Sequence, residues 1–544
     1  MRSALHFLGG MSPRRPAVPS LRLWLAPLLV VSMTACGWRP RWTPETVAPP
    51  ASLTEALEEA QKAAEEGVAS LPGDQGATQT ITRDGAILTA LARNRSLAVQ
   101  RFAPEIAATR EREARAAFDP SLLSTVSYGR QKRPGGAPSG SATVSRTLDA
   151  KAQISEFLPT GTEVFLSGGF MRNRVDETPW NNTGTWSAGI NQSLLRGAGC
   201  NVNLVTLRQA RNTAARSLHE LRGFVMDLVL EVEKAYWELA LARETLGIRQ
   251  LSVQLAYEQL QLNLDLISVQ KLAGAARYSA EAELATRQAD LVDAEAAVRA
   301  RTIDLIRLLD PDQAAQWAIR FALKDAPEAG QVDIDQEVSA RLAPLYKPEL
   351  AQARLDLANR DLEVVRTRNG LLPRLDVSAS YGRLSSGDSM RDAGRHLDDS
   401  DFDNYDVGAS LEFSPLNRAE RARHRRALFE QQAAEASIRN LEQLLESEVR
   451  RAAIEVERQW QRIPATQQAV KYRLEELETE RSRFAVGKST NLDVLQVHRN
   501  LIQAKLDEVT ARVRFIEALA NLYHAEGTLL ERRGVATVVP ETTP

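Results

Sequence analysis

The stretch "LAVQRFAPEIAATREREARAAFDPSLLSTVSYGR" (Leu97–Arg130) returns 253 residues later as "LAQARLDLANRDLEVVRTRNGLLPRLDVSASYGR" (Leu350–Arg383), aligned over 34 positions without a gap. Leu97/Leu350, Ala98/Ala351, Arg101/Arg354, Pro120/Pro373 and Leu122/Leu375 coincide, as does Ser-Tyr-Gly-Arg at 127–130 and 380–383. Each copy opens as a helix and stops at a proline, whose ring and missing N–H cannot continue one. Each then alternates, as in Leu375-Asp-Val-Ser-Ala-Ser-Tyr381, with the period of a half-buried strand. Two unrelated helix-to-strand junctions do not account for that register. The chain is internally duplicated.

The order continues outward in both copies. Strand-like "TWSAGINQSLLRG" (Thr185–Gly197) and "YDVGASLEFSPLN" (Tyr405–Asn417) precede long helical tracts, Asn201–Ala273 and Arg418–Val486. In the first tract Leu218, Leu221, Val225, Leu228, Val232, Ala235, Leu239, Ala242 and Leu246 alternate spacings of three and four, a sustained heptad seam. About 70 residues at ~1.5 Å each make a rod on the order of 100 Å long. Pro464 is expected to kink the second rod without ending it. The rods break at Gly274 in "KLAGAARYS" and Gly487 in "FAVGKSTN", and helices return over Ser279–Leu309 and Asn491–Leu529. So short a break folds the helix back as an antiparallel hairpin. Between Ser121 and Gly197 there is room for about four strands, one pair joined by a Pro-Thr-Gly turn. The second half has two, flanking a polar loop at Leu384–Asn404.

Gly487-Lys488-Ser489-Thr490 looks like the closing half of a phosphate-binding loop. That loop needs a glycine five residues before the Gly-Lys pair and a strand in front. Position 482 is Ser482, and "LEELETERSRF" ahead of the glycine is charged helix. No nucleotide site is expected. Ser489 and Thr490 instead suit the cap of the returning helix.

Composition narrows the function classes. The 544 residues carry 68 Lys+Arg against 70 Asp+Glu, so net charge implies no nucleic-acid surface. Aromatics make up 6%, and tracts of Ala, Leu, Glu, Gln and Arg favour long helices over a compact enzyme core. Arg14, Arg15 and Arg22 precede "LWLAPLLVVSM", too short to span a bilayer and fitting a secretory signal, with Met11 as an alternative start. The run ends in "MTAC", which resembles a bacterial lipobox with Met33 in place of leucine, so Cys36 is read as lipidated. The other cysteine is Cys200; two are too few for a cysteine metal site, and lipidation of Cys36 leaves the mature chain without an internal disulfide. His219, His396, His424, His498 and His524 form no helical ligand pair. "DDSDFDNYD" (Asp398–Asp406) lacks the glycine and closing glutamate of a calcium loop, having Asn404 and Ser410 there. No hydrolase or dinucleotide motif is present. The expectation is no enzyme, no cofactor and no metal.

The expected organisation is a signal peptide over 1–35, and a lipid anchor with tether over 36–80. A first repeat follows over 81–310, with strands at about 121–197 and a hairpin at 201–309. After a linker at 311–334 comes a second repeat over 335–530, with strands at about 374–417 and a hairpin at 418–529; 531–544 is a tail. The fold class is mainly α within α+β. A secreted chain of this kind suggests a β-barrel continuous with an α-helical barrel, because barrel closure removes unpaired strand edges. Four strands cannot close a barrel alone, so several protomers must share one.

The duplicated Leu-Ala…Pro-x-Leu…Tyr-Gly units, "NQSLLRG" and "VGKSTNLDVLQ" resemble the TolC family of bacterial outer-membrane efflux channels, over roughly Ile81 to Leu530. The resemblance implies a homotrimer with a 12-stranded barrel in outer-membrane lipid and a helical tunnel through the periplasm. The surplus strands of the first half depart from that count, as an appended hairpin would. It implies a periplasmic adaptor (membrane fusion) protein and an inner-membrane transporter as partners, in drug, metal or polypeptide export. Adaptor-docking tips match Gly274, Ala275, Gly487 and Lys488. The periplasmic gate matches Asp493, with Gln496 where well-known members have a second aspartate, and Ser489 where they have a locking basic residue. Phe484 and Ala280 stand where they have a tyrosine and an aspartate, so the family's locking links are mostly missing. The competing reading is a periplasmic coiled-coil scaffold or adaptor lipoprotein without a pore.

Overall fold

The computed structural model describes residues 78–133, 142–309, 320–327, 330, 332, 334–395, 397 and 402–535. The signal segment, Cys36, nearly all of the tether, most of the linker, His396 and residues 536–544 lie outside them.

Ahead of the sheet come β1 (Thr78–Ile81), α1 (Arg83–Arg93), α2 (Arg95–Gln100) and α3 (Phe102–Arg115). The first half then supplies β2 (Ser121–Arg133), β3 (Thr143–Leu158), β4 (Thr162–Val175) and β5 (Asn181–Ser193). They lead through α4 (Cys200–Asn203) into α5 (Val205–Ser268) and α6 (Ala275–Leu309). After β6 (Arg320–Leu323), the second half runs α7 (Gln336–Tyr346), α8 (Pro348–Gly370), β7 (Arg374–Gly387), α9 (Met390–Arg395) and β8 (Asp403–Glu412). It ends with α10 (Arg418–Ala485), α11 (Asn491–Glu526) and α12 (Leu529–Arg532). Pro120 and Pro373 each stand directly before a strand of the repeat.

α5 has 64 residues and α10 has 68, and Pro464 lies inside α10 without ending it. At ~1.5 Å per residue both are rods on the order of 100 Å. Leu221, Val225, Leu228, Val232 and Leu239 of the seam are buried. They join Leu305 and Leu309 of α6, Val449 and Val456 of α10, and Val513, Phe515 and Leu522 of α11 in one core. β1 and β6 pair in parallel beside it, a small sheet that the linker reading missed. Residues 531–535, expected to begin a tail, are packed instead. Arg533 pairs with Glu233 at 2.6 Å and Arg532 with Glu526 at 3.1 Å, and Val535 is buried in the core.

Among the described residues the main sheet has six strands in the order β2-β3-β4-β5-β7-β8, every pairing antiparallel. The surplus strands of the first half therefore belong to one continuous sheet and are not an appended hairpin. The two repeats meet at β5–β7, where the Trp186 and Tyr381 rings pack edge to face at 5.9 Å. The tight β3–β4 turn uses Gly161 at φ +87, where an added Cβ would run into the Gly197 carbonyl.

Candidate functional site

Paired residues on neighbouring strands point to the same side, so the register sorts the sheet into two faces. One row across it reads Leu122, Ile154, Leu166, Ala188, Tyr381, Tyr405. The adjacent row, on the other face, reads Leu123, Gln153, Ser167, Ser187, Gly382, Asn404. The second face carries polar contacts: Ser167 Oγ of β4 and Ser187 Oγ of β5 lie 2.7 Å apart, and within β3 Lys151 pairs with Asp149 at 3.0 Å. The first face leaves Ile154, Leu166, Ile190 and Val407 exposed at 46% or more. An apolar face that water should not see, backed by a polar one, is the pattern of a barrel wall between lipid and an aqueous lumen. Both edges are open among the described residues. Every residue of β2 is exposed and β8 is exposed at all but one position. Two unpaired edges of this length are templates for pairing with another chain.

The hairpin tips lie at the other end of the rods. In the second, Gly487 takes φ +73, which favours glycine, and the N–H of Lys488 donates to the Arg483 carbonyl at 2.8 Å. The first tip does the same job four residues before its glycine. Gln270 takes φ +58 and the Lys271 N–H donates to the Leu266 carbonyl at 2.9 Å. The helix has therefore ended before Gly274, and α6 already starts at Ala275. Lys271, Gly274, Ala275, Gly487 and Lys488 are all exposed. So are Val269, Tyr278, Val486 and Leu492, each at 60% or more, which leaves an apolar set with two lysines at the tips.

α11 begins with a reciprocal cap between Thr490 and Asp493. Those hydrogen bonds hold the Asp493 carboxyl below its ordinary value, Thr490 being the main cause and the Arg483 charge a small one. Gln496 lies one turn further on, exposed, donating to Asn500 at 3.0 Å and accepting from Arg499 at 2.8 Å. Ser489 does not join them; its hydroxyl donates to the Glu480 carboxylate of α10. Phe484 and Ala280 are buried.

Polar groups that sequence reasoning passed over hold the hairpins together below the tips. Asn491 is buried and its Oδ1 accepts from Gln259 at 3.2 Å and Asn263 at 3.0 Å, while its Nδ2 donates to Ser279 at 3.1 Å. One side chain thus ties α11 to α5 and α6. Arg499 reaches Glu283 at 3.1 Å, and Glu283 also pairs with Arg287, which bonds Asp290 at 3.0 Å. No cluster of metal-ligating side chains occurs among the described residues. No described helix is long and apolar enough to cross a membrane.

A protomer with a lipid-type strand face, a polar reverse face, two open sheet edges and long helical hairpins is a piece of a shared channel wall. The family described as Outer membrane efflux protein matches residues 341–528. The chain is 26% identical over 308 residues to the proteases secretion protein PrtF of Dickeya chrysanthemi, covering 56% of this chain and 65% of that one. That is just under two thirds of PrtF's length. It is 24% identical over 381 residues to outer membrane protein TolC of Vibrio cholerae, covering 68% and 83%. Among solved structures the outer-membrane channel OprN superposes with a TM-score of 0.62 at 17% identity, over 85% of this chain and 96% of that one. The Campylobacter jejuni CmeC outer membrane channel gives 0.62 at 15%, over 85% and 91%. Over these residues the chain is similar to the outer membrane efflux proteins, and its fold is that of the TolC-type channels.

Proposed function

We propose that the chain is one protomer of a trimeric exit duct of a tripartite efflux or type I secretion system, set in the outer membrane and extending into the periplasm. The carrying observation is the six-stranded sheet with one apolar face, one polar face and both edges unpaired. Barrel closure is the arrangement that removes such edges in lipid. Three copies of six strands give an eighteen-stranded barrel in place of the family's twelve. Barrel diameter grows roughly linearly with strand number, so the outer-membrane mouth is wider by about half. Transport is passive; energy comes from an inner-membrane transporter, coupled through a periplasmic adaptor that docks on Gly274, Ala275, Gly487, Lys488 and the apolar side chains beside them. Asp493, with Gln496 and Ser489 nearby, faces the narrow periplasmic mouth, where three carboxylates would favour cations.

Cys36 is proposed as the lipid-bearing N-terminus. Cys200, expected to be left unpaired, is disulfide-bonded. Mass spectrometry of the mature N-terminus decides: a diacylglyceryl mass on Cys36 supports the anchor, and an unmodified or disulfide-linked Cys36 refutes it. The duct itself is tested by reconstituting the purified protein in planar bilayers. Trimers and steady single-channel conductance are expected. A monomer without conductance would leave the scaffold reading in its place.

A further inference from the structure

On three adjacent strands the apolar face ends in arginine. Moving away from the helices, β2 presents Leu122, Val126, Tyr128 and then Arg130, with Ser124 between. β3 presents Ile154, Ala152, Ala150, Leu148 and then Arg146. β4 presents Leu166, Gly168, Phe170 and then Arg172 and Arg174. Arg130 stands directly opposite Arg146, and Arg146 directly opposite Arg174. Like charges so placed, with Cβ atoms about 5 Å apart, destabilise a sheet.

Among the described residues nothing neutralises them. Among the described residues no carboxylate lies within ion-pair distance of Arg130, Arg146, Arg172 or Arg174. Asp176, in the turn after β4, accepts the Val144 N–H at 2.6 Å instead. Arg172 and Arg174 lie over the Trp180 ring, 4.5 and 5.8 Å from its centre. The Nε of each is buried without a hydrogen-bond partner. Desolvated guanidinium nitrogens without an acceptor carry a cost, and four of these charges share one rim.

We propose that this rim binds the phosphate groups on the sugar headgroup of an outer-leaflet glycolipid. The proposal rests on the reading of the sheet as a barrel wall: the helices leave from the periplasmic ends of the strands, so the arginines stand at the extracellular end. Guanidinium forks match phosphate oxygens two at a time, and the Trp180 ring fixes two of them in advance. A free anion would satisfy the charge. A lipid also uses Tyr128, Leu148 and Phe170 directly beneath, which offer an apolar surface for acyl chains at the border of the lipid-facing band. That continuity selects the lipid over free phosphate.

The test uses full-length, delipidated channel in detergent and measures lipopolysaccharide retained per trimer by native mass spectrometry. The arms are phosphorylated lipopolysaccharide, the same lipid with its phosphates removed, and inorganic phosphate as competitor. Wild type is expected to hold the phosphorylated lipid about tenfold better than the dephosphorylated one, and R130Q/R146Q/R174Q to lose about that factor with conductance unchanged. If the triple variant does not assemble, Arg174→Gln alone is expected to lose severalfold. Equal retention by wild type and a conducting variant overturns the proposal, as does equal retention of the dephosphorylated lipid. Displacement by millimolar inorganic phosphate would make it a free-anion site and overturns it too. A wild type that neither trimerises nor conducts would instead bring down the barrel reading beneath it.

Discussion

Thr490 and Asp493 are joined by three hydrogen bonds at the start of α11. The Thr490 hydroxyl oxygen accepts the Asp493 N–H at 3.3 Å and donates to the Asp493 carboxylate at 2.6 Å, while that carboxylate accepts the Thr490 N–H at 3.2 Å. The residue proposed to set the charge of the mouth is therefore also the clasp of its helix. Two variants separate the roles. Thr490→Val and Asp493→Asn should both speed amide exchange over residues 491–494, because each opens the cap. Only Asp493→Asn should lower conductance and cation preference; if it leaves both at wild-type values, the mouth assignment is wrong. The pH sign follows from the lowered carboxyl. The cap is complete above the ordinary aspartate value of 3.8 and is lost as pH falls through the lower folded value.

The two tips should respond oppositely to glycine substitutions. Gly487 holds φ +73, so Gly487→Ala forces a Cβ into the left-handed region at about 1–2 kcal/mol. Gly274 has open space around it and no positive φ, so Gly274→Ala should be neutral. At the first tip the strained residue is Gln270, at φ +58, and Gln270→Gly should tighten that turn. Local amide exchange at each tip reads all three. Equal effects of the two glycine-to-alanine changes would contradict this account.

The tips also mark how far the sequence could be read. Helix and strand order followed from the duplication, because Pro120 and Pro373 punctuate identical junctions and period-two runs follow both. Periodicity also located both rods. It could not say that β2 to β5 share a sheet with β7 and β8, since pairing between distant strands leaves no local pattern. The Gly274 break was placed four residues late for a physical reason: Gln270 adopts a conformation that glycine usually advertises. The local sequence does not mark Asn491 as a tie between helices. Its role depends on Gln259 and Asn263 arriving from a helix more than 200 residues earlier. The arginine rim was equally invisible, because register alone sets Arg130, Arg146 and Arg174 side by side.

His498 gives α11 a pH response of its own. The ring is buried, its Nε2 has no hydrogen-bond partner among the described residues, and desolvation pushes its pKa down from 6.5 to about 4. Arg481 adds to the depression and so, more weakly, does Arg287, while Glu283 opposes it. A histidine kept neutral in the fold but protonated when unfolded destabilises as pH falls. The loss begins near 6.5 and is complete below about 4. A shift of this size amounts to roughly 3 kcal/mol as an upper figure. Amide exchange along residues 494–502 should therefore quicken between pH 6.5 and 4, and His498→Leu should flatten that response. An unchanged pH profile in His498→Leu would show that other groups titrate there.

Arg533 and Glu233 make the costliest contact to break. Glu233 is fully buried in α5, and Arg533 grips both its oxygens at 3.0 and 2.6 Å from beyond the end of α12. Removing one partner strands a charge in the core, at about 3–5 kcal/mol, whereas replacing both with apolar side chains often costs little. Arg533→Leu should therefore lower the unfolding temperature of the purified channel sharply. Adding Glu233→Leu to it should recover most of the loss. Truncation before Arg532 should match the single variant or exceed it, because it also removes the Arg532–Glu526 pair at 3.1 Å. The contrast between single and double variants is the decisive reading. If Glu233→Leu rescues nothing, the Arg533 deficit comes from lost packing beside Tyr523 rather than from the orphaned carboxylate.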